Sequence, residues 1–102
     1  MTHNIDANSW VYVLVQNPGS EEQIVGQREP EHQIAFIPTF MDKDSAMQGV
    51  VNLPKEKGHK YEIQAIIYED LEKYAAESEF LIFILDDQGR IIDKRSPTKS
   101  EG

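Results

Sequence analysis

The stretch Phe80-Leu-Ile-Phe-Ile-Leu85 is the most hydrophobic run of this 102-residue chain. A short, uninterrupted apolar run next to turn residues is typical of a buried strand. The run is far shorter than the roughly 20 residues that a membrane-spanning helix needs. It therefore predicts the central strand of a sheet inside a globular domain.

A helix and a turn are predicted on either side of this strand. The helix runs from about Tyr68 or Glu69 to Glu77, and its acidic start suits the positive end of the helix dipole. After the strand, Asp86-Asp-Gln-Gly89 predicts a turn that leads to a short last strand, Arg90-Ile-Ile92. The apolar face of the helix contains Leu71, Tyr74 and Ala75.

Before the helix, apolar and polar residues alternate as they do in a half-exposed strand. Tyr61, Ile63 and Ala65 alternate with Glu62 and Gln64. Residues 61–85 can therefore form two parallel strands joined by the helix. Such a crossover is right-handed in nearly all proteins.

The N-terminal half predicts three more strands. Trp10–Val15 is apolar on both alternations, as in a strand covered on both faces, and Asn17-Pro-Gly-Ser20 supplies a turn. A short strand follows near Gln23–Gln27, and a third covers Gln33–Phe40. Pro38 has no N–H to donate, which suggests that this third strand lies at a sheet edge or ends there.

A first helix is predicted between the third and fourth strands. Asp42 or Asp44 can cap it, and Pro54 can end it. Gly49 inside it costs up to about 1 kcal/mol of helix propensity, so we expect a close packing contact at this glycine. The apolar positions recur at spacings of three and four residues: Ala46, Met47, Val50 and Leu53.

These elements predict a single α+β domain. Their order is β-β-β-α-β-α-β-β, with five to six strands in one mixed or antiparallel sheet and two helices packed on one face. One core suits a chain of this length. We expect flexible segments at 1–9 and 95–102 around a folded domain at 10–94.

The composition limits the possible partners. A net charge of -8 repels phosphate groups, so neither nucleic acid nor an anionic membrane is expected as a partner. The lack of cysteine excludes disulfides, thiol nucleophiles and thiolate metal sites. The polar start at Met1–Ser9 does not read as a signal peptide, and a cytoplasmic location is expected.

The chain carries no familiar motif for catalysis, metal binding or cofactor binding. Glu29 and Glu31 lie beside a histidine, but a solvated loop explains them better than a metal site does. No metal and no cofactor are therefore expected. The three histidines fall in predicted tail or loop segments: His3, His32 and His59.

Two groups of residues are candidate ligand or interface sites. The only basic concentration in the chain can hold a small anion, although a solvated loop explains it better. Tyrosines around the second helix are candidate interface residues, although amphipathic packing accounts for them better. The basic group is Lys55, Lys57, His59 and Lys60, and the tyrosines are Tyr61, Tyr68 and Tyr74.

Three segments resemble small bacterial domains: Trp10-Val-Tyr-Val-Leu-Val-Gln-Asn-Pro-Gly19, Ala35-Phe-Ile-Pro-Thr-Phe-Met-Asp-Lys-Asp-Ser-Ala46 and Tyr68-Glu-Asp-Leu71. One similar family is a cyanobacterial domain of unknown function with the same kind of "YVL…N…G" start. Another is the SseB-like domain, in which a strand ending in proline and phenylalanine looks like Ile37-Pro-Thr-Phe40. The resemblance implies an α+β fold and a non-enzymatic role, and it carries over no functional residue.

The leading functional prediction is a non-catalytic protein-interaction or regulatory module. It would work through a sheet face or an edge strand, and its partner can be a second copy of the chain. The alternative is a small-molecule or anion-binding sensor or carrier that uses the loop at 55–60. A third hypothesis is acid–base catalysis by Asp86, Asp87 or Glu69, although Asp is common in turns for conformational reasons.

Overall fold

The computed structural model describes residues 5–29, 31, 33–53 and 57–96; Pro54, the predicted end of the first helix, lies outside them. The described strands form one mixed sheet: β1 (Trp10–Gln16), β2 (Gln23–Ile24), β3 (Gln27–Glu29), β4 (Ile34–Phe40), β5 (Tyr61–Ile67), β6 (Leu81–Leu85) and β7 (Ile91–Arg95). The helices are α1 (Lys43–Gly49) and α2 (Tyr68–Ser78), and a 3-10 turn spans Val50–Asn52. The α+β class and the single mixed sheet are confirmed, but the 7-stranded sheet exceeds the expected five to six strands.

Five strands cross the sheet in the order β5-β1-β4-β6-β7. β5 is antiparallel to β1 along its whole length, from the pair Trp10–Ile67 to the pair Gln16–Tyr61. β1 and β4 are antiparallel, β4 and β6 are parallel, and β6 and β7 are antiparallel. It follows that β4, β5 and β6 all run in the same direction.

β2 and β3 fill the gap where β1 and β4 diverge. β1 meets β4 at Tyr12 and Val13, and beyond that point β2 pairs with the same edge of β1. β3 pairs in turn with the first residues of β4. The single strand expected over Gln23–Gln27 is therefore two strands. The sequence does not reveal β3, because Gln27-Arg-Glu29 is polar throughout and shows no apolar alternation.

The two helices lie on opposite faces of the sheet, so the expectation that both pack on one face is wrong. Leu71 of α2 packs in one core with Ile82 of β6. Ala46 of α1 packs in a second core with Phe83, the next residue of the same strand. Neighbouring strand residues point to opposite faces, and we call these the α2 face and the α1 face.

The handedness of the two crossovers explains this arrangement. α1 carries the chain from β4 outward to β5, and α2 carries it back from β5 to β6. Both connections join parallel strands, and they cross the sheet in opposite directions. Two right-handed crossovers that run in opposite directions must pass over opposite faces. One-face packing would suit a single crossover, whereas this fold contains two.

Each face of the sheet has its own apolar core. The Phe80–Leu85 run contributes to both cores, because alternate residues of a strand point to opposite faces of the sheet. β6 is also an internal strand, with a neighbour on each edge. Ile5 packs against the α2-face core, and Arg95 is the last residue of β7. The α2-face core is Val11, Val13, Val15, Ile37, Tyr68, Leu71, Ala75, Ile82 and Ile84, and the α1-face core is Phe40, Ala46, Phe83 and Leu85.

Pro38 lies within an internal strand, which corrects the expectation of an edge position or a strand end. The neighbour of β4 changes at this point, since β3 pairs with Ile34–Phe36 and β1 pairs with Thr39 and Phe40. Neither β3 nor β1 pairs with Pro38 itself, so the missing N–H group of proline costs no hydrogen bond to these strands.

The close contact expected at the glycine of α1 is confirmed. α1 begins after Asp42, whose Oδ1 atom accepts a 2.8 Å hydrogen bond from the Ser45 N–H. Gly49 ends the helix, where a Cβ atom would lie 2.9 Å from Cζ of Phe40 and 3.1 Å from the carbonyl oxygen of Asp86. The absence of a side chain at Gly49 therefore lets α1 approach both β4 and the turn after β6.

We expect Gly49→Ala to lower the free energy of unfolding by about 1–3 kcal/mol, because the added methyl group overpacks this contact. The loss should occur although alanine is the better helix former by about 1 kcal/mol. Gln48→Ala, at the exposed neighbouring position, is the control and should change stability by less than about 0.5 kcal/mol. Urea unfolding of the three proteins measures these effects, and a Gly49→Ala variant as stable as the wild type would contradict the packing described.

Candidate functional site

The structure describes part of the predicted basic loop. Lys55 lies outside the described residues, whereas Lys57, His59 and Lys60 are exposed. The Nδ1 atom of His59 lies 3.3 Å from Nδ2 of Asn17, and the Asn17 N–H donates to the Lys60 carbonyl at 2.7 Å. The loop is therefore attached to the turn after β1, with its described cations facing solvent.

The three candidate tyrosines do not share a surface. Tyr68 is 4% exposed in the α2-face core, and Tyr74 stacks on Phe80 with 6.4 Å between the ring centroids. Tyr61 shares its side of β5 with Ile63, which packs on the α1 face. Amphipathic packing of α2 accounts for Tyr68 and Tyr74, and Tyr61 belongs to the opposite face.

Tyr68 also connects α2 to the last strand. The Arg95 guanidinium lies 5.7 Å from the centroid of the Tyr68 ring, and its Nε atom donates a 3.0 Å hydrogen bond to Oδ2 of Asp93. Burial raises the pKa of the Tyr68 hydroxyl above its ordinary value, although Arg95 opposes the rise. These contacts join α2 to β7 on the α2 face of the sheet.

Asp86, the first residue of the acidic pair after β6, holds the turn together. Oδ1 of Asp86 accepts hydrogen bonds from the N–H groups of Gln88 and Arg90, each at 2.9 Å. These bonds, that of Arg90 above all, hold the pKa of the Asp86 carboxyl below its usual range. A general acid at neutral pH needs a raised pKa, so the arrangement favours a structural role for Asp86.

No metal cluster is found in the part of the chain that the structure describes. Its His, Asp and Glu residues form no group of three or more that could hold a metal ion. His3 and His32 lie outside that part. Within the same residues, no helix has both the length and the apolar character needed to cross a membrane.

The outer edge of β5 carries no strand among the described residues. Two hydrogen bonds show which residues of this segment bond to β1 and which face the outer edge. The Asn17 N–H donates to the Lys60 carbonyl at 2.7 Å, and the Tyr68 N–H donates to the Ser9 carbonyl at 2.8 Å. Both bonds continue the register of the β1–β5 pair. Because bonded and non-bonded pairs alternate in an antiparallel ladder, the even-numbered residues of β5 bond to β1.

The N–H and C=O groups of Ile63 and Ala65, and the N–H group of Ile67, consequently point away from β1. The C=O group of Ile67 belongs to α2, because Ile67 is the N-cap of that helix. β5 has seven residues in unbroken register with β1, and Glu62 is its only charged residue. Glu62 and Ala65 are exposed. A long, regular edge with little charge is the kind that accepts a further strand.

The other edge strand, β7, has features that discourage strand addition. It has five residues, and its register with β6 shifts between Ile84 and Leu85. Three of the five are charged, namely Asp93, Lys94 and Arg95, and the Lys94 ammonium lies 5.4 Å from the centroid of the Phe83 ring. A bulge and charged side chains both protect an edge from pairing.

Gln64 lies at the middle of β5, on the α2 face. Its Nε2 atom donates to Oε1 of Glu62 at 2.9 Å and to Oε2 of Glu22 at 3.2 Å. The two faces of this strand therefore differ. The α2 face presents Glu62, Gln64 and Ile66, whereas the α1 face presents the apolar row Tyr61, Ile63, Ala65 and Ile67.

Tyr61 is the one residue of β5 among the candidate site residues predicted from the sequence. The available signal was the low charge of Tyr61–Ile67 in an acidic chain, together with its strand-like alternation. That signal identifies a strand, but the position of a strand at an edge depends on which other segments pair with it.

No protein-family model matches the chain, and no curated protein sequence or solved structure shows significant similarity to it. The resemblance to a cyanobacterial domain and to the SseB-like domain therefore stays a prediction.

Asp86→Asn should make stability less sensitive to acid, because asparagine keeps an oxygen acceptor for both N–H groups but does not titrate. The folded-state pKa of Asp86 is lowered, so its contribution is present above the unfolded pKa of about 4 and is lost as the pH falls through the folded value. Urea midpoints measured between about pH 7 and pH 2 test this. Asp87→Asn, which removes the same charge at the neighbouring residue, is the control and should keep the wild-type dependence of stability on pH. If Asp86→Asn also kept that dependence, the role of Asp86 in the turn would be contradicted.

Proposed function

We propose that this domain is a protein-interaction module that binds a partner by adding an extended strand of that partner to the outer edge of β5. The observation that carries the proposal is the outward direction of the backbone N–H and C=O groups of Ile63 and Ala65 along an unbroken strand. In this mode of recognition, main-chain hydrogen bonds supply affinity and alternate side chains supply specificity.

The distribution of charge also favours β5 over β7. A strand that paired with β7 would meet a shifted register and the charged residues Asp93, Lys94 and Arg95. A strand that paired with β5 would meet one charged residue, Glu62, and an apolar row on the α1 face. Apolar side chains at every second position of the partner would match that row.

The alternative functions have less support. An anion held by Lys57, His59 and Lys60 would be in full contact with water, because all three residues are exposed. Acid–base catalysis by Asp86 would have to overcome the hydrogen bonds that lower its pKa. Neither alternative has a described feature comparable to the outer edge of β5.

A strand-length peptide tests the proposal directly. We expect a synthetic peptide with the sequence of residues 60–68 to shift the amide NMR signals of Ile63, Ala65 and Ile67 in the intact protein. Ala65→Pro should abolish these shifts, because proline removes an N–H that points outward and leaves the bonds to β1 intact. Thermal unfolding should show that the variant is still folded.

Ala65→Ser is the matched control, because it changes the same exposed position but keeps the N–H group. It should bind the peptide as the wild type does. Binding of equal strength by Ala65→Pro, or peptide-induced shifts confined to β7, would contradict strand addition at β5.

A further inference from the structure

We propose that the strand added to β5 is β5 of a second copy of the chain, in an antiparallel pair centred on Gln64. This inference rests on the proposed function, that the outer edge of β5 accepts a strand, and it names the partner. Two-fold symmetry, the side chains on the two faces of β5 and the position of Glu62 along the strand favour this pair.

Symmetry restricts how two identical edge strands can pair. Two antiparallel copies in one continuous sheet are related by a two-fold axis perpendicular to that sheet, so the residue at the axis lies opposite its own copy. Full overlap of Tyr61–Ile67 puts Gln64 at the axis. Ile63 then lies opposite Ala65 of the second copy, and because both direct their backbone groups outward, each such pair exchanges two N–H···O bonds.

The α1 face of the paired strands becomes an apolar ladder. Tyr61 lies opposite Ile67 of the second copy, which is a favourable pair of an aromatic and a β-branched residue. The row continues into β1, where Trp10 lies beside Ile67. Trp10 is 58% exposed in the single chain, so the pair would extend a row that already presents apolar surface to solvent.

On the α2 face, the register centred on Gln64 keeps the two Glu62 backbones apart. Glu62 lies opposite Ile66 of the second copy, so the Cα atoms of the two Glu62 residues are about 14 Å apart. The carboxylates of Glu62 and Glu22 lie nearer to the axis, because both accept hydrogen bonds from the Gln64 amide, and their repulsion between the two copies opposes the pair. An axis at Glu62 would instead place the two carboxylates directly opposite each other, which is destabilising. The net charge of -8 on each copy still opposes association, so we expect added salt to strengthen the dimer.

A cysteine at the axis tests the pair and its register, because the chain has no cysteine of its own. Gln64 and its copy would form a non-hydrogen-bonded pair with Cα atoms about 4.5 Å apart, within the range that a disulfide spans. We expect Gln64→Cys to form a disulfide-linked dimer under mild oxidation at least about tenfold faster than Glu62→Cys, whose sulfurs would be far apart. Non-reducing electrophoresis of the full chain over time gives both rates.

Gln48→Cys measures random collision, because its side chain is on the exposed surface of α1. Adding Ala65→Pro to Gln64→Cys should lower the rate to that of Gln48→Cys. Equal rates for the three single-cysteine variants would overturn the pair, and a faster reaction of Glu62→Cys would overturn its register.

Sedimentation equilibrium provides a second measurement without any cysteine. The wild-type chain should show a monomer–dimer equilibrium that strengthens with salt, and Ala65→Pro should remain monomeric. If the peptide of residues 60–68 binds β5 but neither measurement detects a dimer, the second copy is not the partner and the proposed function still stands. If the peptide does not bind either, both proposals fail.

Discussion

The common direction of three strands constrains the rest of this structure. β4, β5 and β6 are parallel, and the chain travels outward over one face through α1 and back over the other face through α2. Right-handed crossovers in these two directions leave no arrangement with both helices on one face. Each face therefore has a helix and a core, which explains why β1 and β6 are apolar on both alternations.

The same constraint leads from fold to function. Because a helix packs on each face, the backbone groups that a partner can reach lie at the two edges of the sheet. The register shift and the charges of β7 protect one edge, whereas β5 is regular and has one charged residue. Because hydrogen-bonded and non-bonded pairs alternate along β1 and β5, Ile63 and Ala65 direct their N–H and C=O groups toward a partner.

Local features of this fold could be predicted from the sequence, and non-local ones could not. The apolar run Phe80–Leu85 indicated an internal strand, and Gly49 indicated a close contact. Both predictions follow from residues within one short segment of the chain. Strand order depends on which distant segments meet, so the internal position of Pro38 and the opposite faces of the helices were missed. For the same reason, the alternation at Ile63 and Ala65 indicated a strand but gave no sign that this strand lies at an edge.

Amide hydrogen exchange, followed residue by residue by NMR, tests the central claim that the outer edge of β5 is open in one copy and covered when a strand is added. In dilute protein, we predict fast exchange at Ile63 and Ala65 and slow exchange at Gln64 and Ile66, whose N–H groups bond to β1. At high protein concentration, exchange at Ile63 and Ala65 should become slow as well. Equal protection of all four amides in dilute protein, or no response of Ile63 and Ala65 to concentration, would contradict the account.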